Sequence, residues 1–237
     1  MNPLMHLLIG ICFAVLLNAS GHYFILFLVA ALLPDALMFL GPKTHVLLKP
    51  KTHSVVVGFG WALLLSLLAV LLLELDFWRI YLLSLFGILL HDFLDILTYK
   101  KIQIFWPLTS VYFAEGITGY MDRFLLILFS LNVFFVFFSQ YAFLASEVTT
   151  AIFIVYVLLL RYQKYKIARI AKAFEDVANY YVYPSEMNMF TWLVWFEKPR
   201  AAFYAYFKFR KGLGKPVLIK TVRGQKEDCN KYRFTAL

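Results

Sequence analysis

The sequence predicts an all-α polytopic membrane protein of about six transmembrane helices, followed by a small cytoplasmic carboxy-terminal region of α+β or β-rich character. Three observations carry this reading. Of the 237 residues, 62% are hydrophobic and only 16% charged, against about 45–50% and 25% in soluble domains. Aromatic residues make up 19%, with 25 Phe and 15 Tyr, which suits a lipid-facing exterior and interfacial belts. The formal net charge of +9 is also segregated. Residues 1–160 hold 7 Lys and Arg against 8 Asp and Glu, a net of −1, whereas residues 161–237 hold 16 against 6, a net of +10. After apolar spans, such a basic segment points to cytoplasmic placement and anionic lipid headgroups rather than to nucleic acid.

A helix needs about 20 mostly apolar residues to cross roughly 30 Å of hydrocarbon. Six segments qualify or nearly do: residues 4–19, 22–40, 55–75, 79–98, 122–141 and 143–161. The first has the length of a signal peptide, but no Lys or Arg precedes its apolar run and no small-x-small cleavage site follows it, so it is read as a helix. The last two are close enough to form a tight hairpin. Lys43, Lys49, Lys51, Lys100 and Lys101 share one side with both termini, while the other side offers Arg79 beside Glu74 and Asp76. Both termini are therefore expected in the cytoplasm, in a multi-pass protein of the inner or plasma membrane.

Residues 1–161 are expected to form the transmembrane domain and 162–237 the basic tail. The tail opens with Arg161, Lys164, Lys166, Arg169 and Lys172, read as an interfacial helix. Pro184, Asn188, Pro199, Gly212, Gly214 and Pro216 then punctuate runs at 191–196, 202–209 and 217–222. Their aromatic and β-branched content predicts a small sheet of two to four strands. Cys12 and Cys229 lie in environments too different to suggest a disulfide, and neither belongs to a zinc motif.

Ionisable groups in hydrocarbon cost roughly 2.5–3.5 kcal/mol each and demand a reason. Here the reasons converge on one layer. His6 begins the first helix, Asp35 lies late in the second, His53 opens the third, and His91, Asp92 and Asp95 lie late in the fourth. With alternating helix directions and a rise of about 1.5 Å per residue, all reach the cytoplasmic ends of four helices. His91, Asp95 and Thr98 fall on one helical stripe, and Asp92 is about 100° away. No Lys or Arg lies in the interior of these stretches, so a shared cation, a proton, or a side chain folding in from Lys49 or Lys51 must neutralise the carboxylates. His6, Asp35, His53, His91 and Asp95 are the candidate metal ligands. Asp92 is expected to orient a histidine ring or to act as general base, a role also open to Asp35. His22 falls at the opposite face and His45 in a loop, outside the site. Thr52, Ser54 and Thr98 are candidates to satisfy backbone or carboxylate groups, or to cap helices.

These residues, in this order, resemble the YdjM-like membrane-bound metal-dependent hydrolases, the LexA-binding, inner-membrane-associated hydrolase family. The resemblance runs through His6, Leu33-Pro34-Asp35, Thr52-His53-Ser54, and His91-Asp92-Phe93-Leu94-Asp95-Ile96-Leu97-Thr98 followed by Trp106-Pro107. Pro184 with Asn188, Phe190 and Trp192 is similar to the segment that opens the carboxy-terminal part of longer members. Leu37 and Leu48 depart from the pattern, standing where members often carry an Asp and a His.

Together the residues and the resemblance imply a metal-dependent hydrolase at the cytoplasmic membrane surface. Nitrogen and oxygen ligands without thiolate suit Zn²⁺ or Mn²⁺. A phospholipid or another phosphoester is the expected substrate class. Two other classes use the same residues: a transporter or channel for metal ions or protons, and a catalytically degenerate membrane anchor or regulator, which the Leu37 and Leu48 departures favour. The clustering at one face counts against a transport path, because Glu147 is the only charged residue in the interior of the last two spans, away from their ends.

Overall fold

A computed structural model describes residues 1–35, 51–99, 101–172, 179–184, 191–198, 201–209 and 216–224. Among these are six α-helices: α1 Pro3–Leu16, α2 His22–Leu32, α3 Val55–Leu73, α4 Phe77–Leu97, α5 Arg123–Phe138 and α6 Ala142–Lys172. Four strands follow: β1 Asn179–Pro184, β2 Thr191–Lys198, β3 Ala201–Phe209 and β4 Pro216–Gly224. By length and composition α3, α4 and α6 can each cross a membrane, while α1, α2 and α5 are shorter apolar helices.

Side-chain caps fix where the helices begin. Asn2 Oδ1 accepts from the Leu4 amide at 2.9 Å, with Pro3 preset for the first turn of α1. Ser54 Oγ accepts from Val56 N at 3.2 Å to start α3. Asp76 Oδ1 accepts from Arg79 N at 2.6 Å to start α4. Asp122 Oδ1 accepts from Phe124 N and Leu125 N at 3.0 and 3.2 Å to start α5. Between α3 and α4 the chain reverses through Glu74, whose left-handed backbone (φ 54°) closes α3. The second helix is shorter than expected. Past Leu32 it tightens into a 3₁₀ turn at Leu33-Pro34-Asp35, where proline disfavours a continued α-helix. The rest of the expected span, residues 36–40 with Leu37, and the loop carrying Lys43, His45, Leu48 and Lys49 lie outside the described residues.

Helix α4 packs against both α2 and α3, and α1 packs against α2, α5 and α6. Gly87 makes the close approach of α4 to α2 possible. A Cβ there would sit 3.1 Å from the Phe27 carbonyl oxygen and 3.3 Å from Ala31 N. Helix α6 runs unbroken from its apolar half through Arg161, Lys164, Lys166 and Arg169, so the basic stretch is the same helix continued.

The four strands form an antiparallel meander in the order β1-β2-β3-β4. One face, built from Val182, Trp192, Val194, Phe196, Ala205 and Phe207, joins the same core as Leu160, Ile167 and Ala171 of α6. The docking is keyed by a buried hydrogen bond from Trp192 Nε1 to Gln163 Oε1 at 2.9 Å. On the other face Tyr183 and Trp195 pack with Tyr181, Leu193 and Tyr99. Three of these strands coincide with the runs read from the sequence. The fourth, β1, was not anticipated.

Candidate metal centre

The ends of α1 and α4, the 3₁₀ turn after α2 and the residues just before α3 meet at one end of the helical bundle. His6, Asp35, His53, His91, Asp92 and Asp95 are all buried there, at 5% exposure or less. Asp35, His53, His91 and Asp95 each turn a ligand atom inward, and these four atoms lie within 4.8 Å of one another. His53 Nε2 is 3.5 Å from Asp35 Oδ1, 3.4 Å from Asp95 Oδ2 and 3.1 Å from His91 Nε2. His91 Nε2 is 3.9 Å from Asp35 Oδ2.

The outer nitrogens of the two rings are held by groups that settle where the ring protons lie. His91 Nδ1 is 2.7 Å from the Ala31 carbonyl, which can only accept, so Nδ1 carries the proton. Thr52 Oγ1 donates to the Pro34 carbonyl at 3.4 Å, and its oxygen therefore accepts from His53 Nδ1 at 3.2 Å. In the neutral rings this leaves an Nε2 lone pair on each facing the centre. Two Nε2 atoms 3.1 Å apart, flanked by two carboxylates, call for a shared proton or a metal cation between them. A site with imidazole nitrogen and carboxylate oxygen, and with its histidines oriented by second partners, fits a divalent ion.

His6 sits beside this group rather than within it. Its ring stacks on His91 at 3.7 Å between centroids, and its Nε2 is 3.3 Å from Asp95 Oδ1. The Met1 amino group, fully buried, also ion-pairs with Asp95 Oδ1. Asp92 is fully buried, but neither of its oxygens has a hydrogen-bond partner among the described residues. The expectation that Asp92 orients a histidine ring therefore gives way to the Ala31 carbonyl at His91 and the Thr52 hydroxyl at His53. The reason is angular: Asp92 lies one residue, about 100°, around α4 from His91. His22 opens α2 at its opposite end, exposed and away from the group.

Ser54 and Thr98 serve the backbone. Ser54 Oγ caps α3 and donates to the Trp106 carbonyl, and Thr98 Oγ1 donates to the Asp95 carbonyl at 2.8 Å. Between α4 and α5 the chain folds back under the site. Val55 N donates to Ile104 O at 2.9 Å, Ile102 bridges Phe113, and Ile117 N donates to Leu97 O at 2.7 Å. Sequence reasoning missed the Ala31 carbonyl and the Met1 amino group. Main-chain groups leave no residue-type signal, so no spacing rule could have flagged them.

A buried histidine–carboxylate group able to hold a metal ion, at one end of a bundle of apolar helices, defines a helical membrane protein with a candidate metal centre. The chain belongs to the YdjM inner membrane protein family, whose family model matches residues 1–168 and so covers every residue of the centre. No curated protein and no solved structure matches the chain.

Proposed function

We propose that the protein is a metal-dependent hydrolase working at the cytoplasmic face of the membrane. In this reading residues 1–161 cross the bilayer six times, with both termini in the cytoplasm. Residues 162–237 form the basic tail, which meets anionic headgroups. His53, His91, Asp35 and Asp95 hold the ion, and His6, expected from the sequence as a further ligand, flanks them against Asp95 and His91. Zn²⁺ or Mn²⁺ suits these donors. When bound, such an ion polarises a phosphoryl or acyl oxygen and lowers the pKa of water, which supplies the nucleophile that hydrolysis needs. The chain's own residues do the remaining work. Ala31 and Thr52 hold the two imidazoles in the tautomer that leaves Nε2 free. Asp92, whose oxygens have no partner among the described residues, is the favoured general base, with Asp35 the second candidate. Placed at the cytoplasmic ends of the helices, at headgroup level, the site suits a phospholipid or another amphipathic phosphoester as substrate.

The observation that carries this reading is the buried group of Asp35, His53, His91 and Asp95, whose four ligand atoms lie within 4.8 Å of one another. Elemental analysis of detergent-purified protein tests it, with wild type beside His53→Ala and Asp95→Ala. Near-stoichiometric zinc or manganese in wild type alone is the expected result, together with hydrolysis of phosphoester headgroup analogues that both variants lose while still eluting as folded protein. Equal trace metal in all three proteins would rule out the centre. Activity indifferent to both substitutions would rule out the mechanism.

A further inference from the structure

Between α4 and α5 the chain closes into a short hairpin. Ile102 N donates to Phe113 O at 3.1 Å, and Phe113 N returns a bond to Ile102 O at 2.8 Å. Inside that clasp Trp106 N donates to Gln103 O at 3.0 Å and Thr109 N to Phe105 O at 3.1 Å. The buried Gln103 side chain donates from Nε2 to Ser110 O at 3.0 Å, and Thr109 Oγ1 accepts from Val111 N at 2.9 Å. Pro107 has no N–H to satisfy. These backbone groups are served from within the hairpin, while large apolar side chains point out of it. Leu108 is 77% exposed, and Phe105, Val111 and Tyr112 are exposed with it. One exposed leucine is ordinary, but four such side chains on one short hairpin make a patch of the kind that marks a membrane or protein contact.

The position of the hairpin says what covers it. Ser54 Oγ donates to Trp106 O and Val55 N donates to Ile104 O at 2.9 Å, so the hairpin is bonded to the first residues of α3. Helix α3 has 19 residues, a length of about 28 Å against roughly 30 Å of hydrocarbon, which puts its first turn at the hydrocarbon edge. Val56 and Phe59 near that end are exposed on the lipid-facing surface of α3, and the hairpin adjoins them. Lys51, about one turn earlier in the chain, is exposed and holds its ammonium 5.7 Å from the centre of the Trp106 ring. Such a pair suits headgroup level, with the ring in the interface and the cation against phosphate. We propose that residues 102–113 form an interfacial anchor. Phe105, Leu108, Val111 and Tyr112 enter the bilayer at the boundary between headgroups and acyl chains, and Lys51 meets lipid phosphate. Ser54 and Val55 directly follow His53, so the anchor holds that boundary beside the metal centre. The proposal rests on α3 crossing the bilayer and not on the hydrolase reading.

Depth-dependent fluorescence quenching tests the proposal on the full chain in nanodiscs of phosphatidylcholine and phosphatidylglycerol. An NBD fluorophore is attached at Leu108→Cys on a Cys229→Ser background, the other cysteine, Cys12, being buried. The same label at Leu67→Cys, an exposed position near the middle of α3, reports whether that helix crosses the bilayer. The quenchers are aqueous iodide and lipids carrying a nitroxide on the headgroup, near the glycerol end of a chain, or near its methyl end. The label at residue 108 should be quenched most by the nitroxide near glycerol and little by iodide, and the label at residue 67 most by the nitroxide near the methyl end. Phe105→Asp combined with Val111→Asp should move the strongest quenching at residue 108 to the headgroup nitroxide and restore quenching by iodide, because charge is expelled from the acyl region. Phe105→Leu combined with Val111→Ile should keep the original depth. Quenching at residue 108 chiefly by iodide puts the hairpin in water and overturns the proposal. Shielding from iodide and from every nitroxide also overturns it, since protein, a second copy or the tail, then covers the patch. A depth that the paired aspartates leave unchanged overturns it as well. If no chain nitroxide quenches the label at residue 67, α3 does not cross and the proposal falls with it, whereas failure at residue 108 alone leaves both that helix and the hydrolase reading standing.

Discussion

Helices α3 and α4 are neighbours in an antiparallel hairpin, and each is apolar and long enough to cross a membrane. Yet 56% of the apolar window of α4 is buried inside the protein and only 22% of that of α3. Leu71 and Leu72 of α3 are more than three-quarters exposed, whereas α4 hides Ile80, Ser84, Gly87, Ile88, His91, Asp92 and Asp95. The apolar residues of both helices gain nothing by leaving lipid, because lipid chains are as apolar as leucine, whereas the ionisable residues of α4 must be buried in protein. The difference therefore reports what each helix packs against. Helix α4 is pressed against α2 through Gly87 and brings its carboxylates to a shared centre. Helix α3 contributes a wall, and only the residues just before its start, Thr52 and His53, enter the site.

That contrast can be broken or sharpened in order of expected effect. The largest effect should come from His91→Ala, which removes one ligand nitrogen and the ring on which His6 stacks. Bound metal measured by elemental analysis should fall from near stoichiometric to trace, while the same substitution at His22 should leave it unchanged. Next is Gly87→Leu, which drives a side chain into the Phe27 carbonyl and Ala31 N. It should destabilise the bundle by about 1–3 kcal/mol or more, seen as a lower midpoint in thermal unfolding in detergent. Thr52→Val should follow. It removes the acceptor for His53 Nδ1 while preserving shape, and metal affinity by competition titration should weaken about 10–100-fold. The smallest effect belongs to Gly60→Ala on α3, where an added Cβ meets nothing within 4 Å. Helix propensity alone then acts, and stability should rise by about 0.5–1 kcal/mol or less. If Gly60→Ala were as damaging as Gly87→Leu, the lipid-facing assignment of α3 would be wrong.

Much of this was legible in the sequence because hydrocarbon imposes a simple rule. Apolar runs at 55–75 and 79–98 correspond to α3 and α4 within two residues, and polar groups inside such runs stand out by their cost. Placing Asp35, His53, His91 and Asp95 in one layer needed only alternating helix directions and the rise per residue. The parts that stayed hidden depend on main-chain geometry or on weak patterns. The Ala31 carbonyl that orients His91 belongs to a residue with no polar side chain. The extension of α6 to Lys172 reads as a change from apolar to basic composition, although the backbone continues. Strand β1, Asn-Tyr-Tyr-Val-Tyr-Pro, carries large side chains towards both faces of the sheet, so it lacks the alternation that marks a half-buried strand.

The bond between Trp192 and Gln163 has a mechanical consequence. It lies inside a greasy seam, so a slip of one position or a modest rotation of the helix would strand an indole N–H and an amide oxygen together, away from any substitute. The sheet is thereby indexed to a single setting of α6, like a key in a shaft. A reporter fixed to β2 would turn with the helix instead of drifting over the membrane surface.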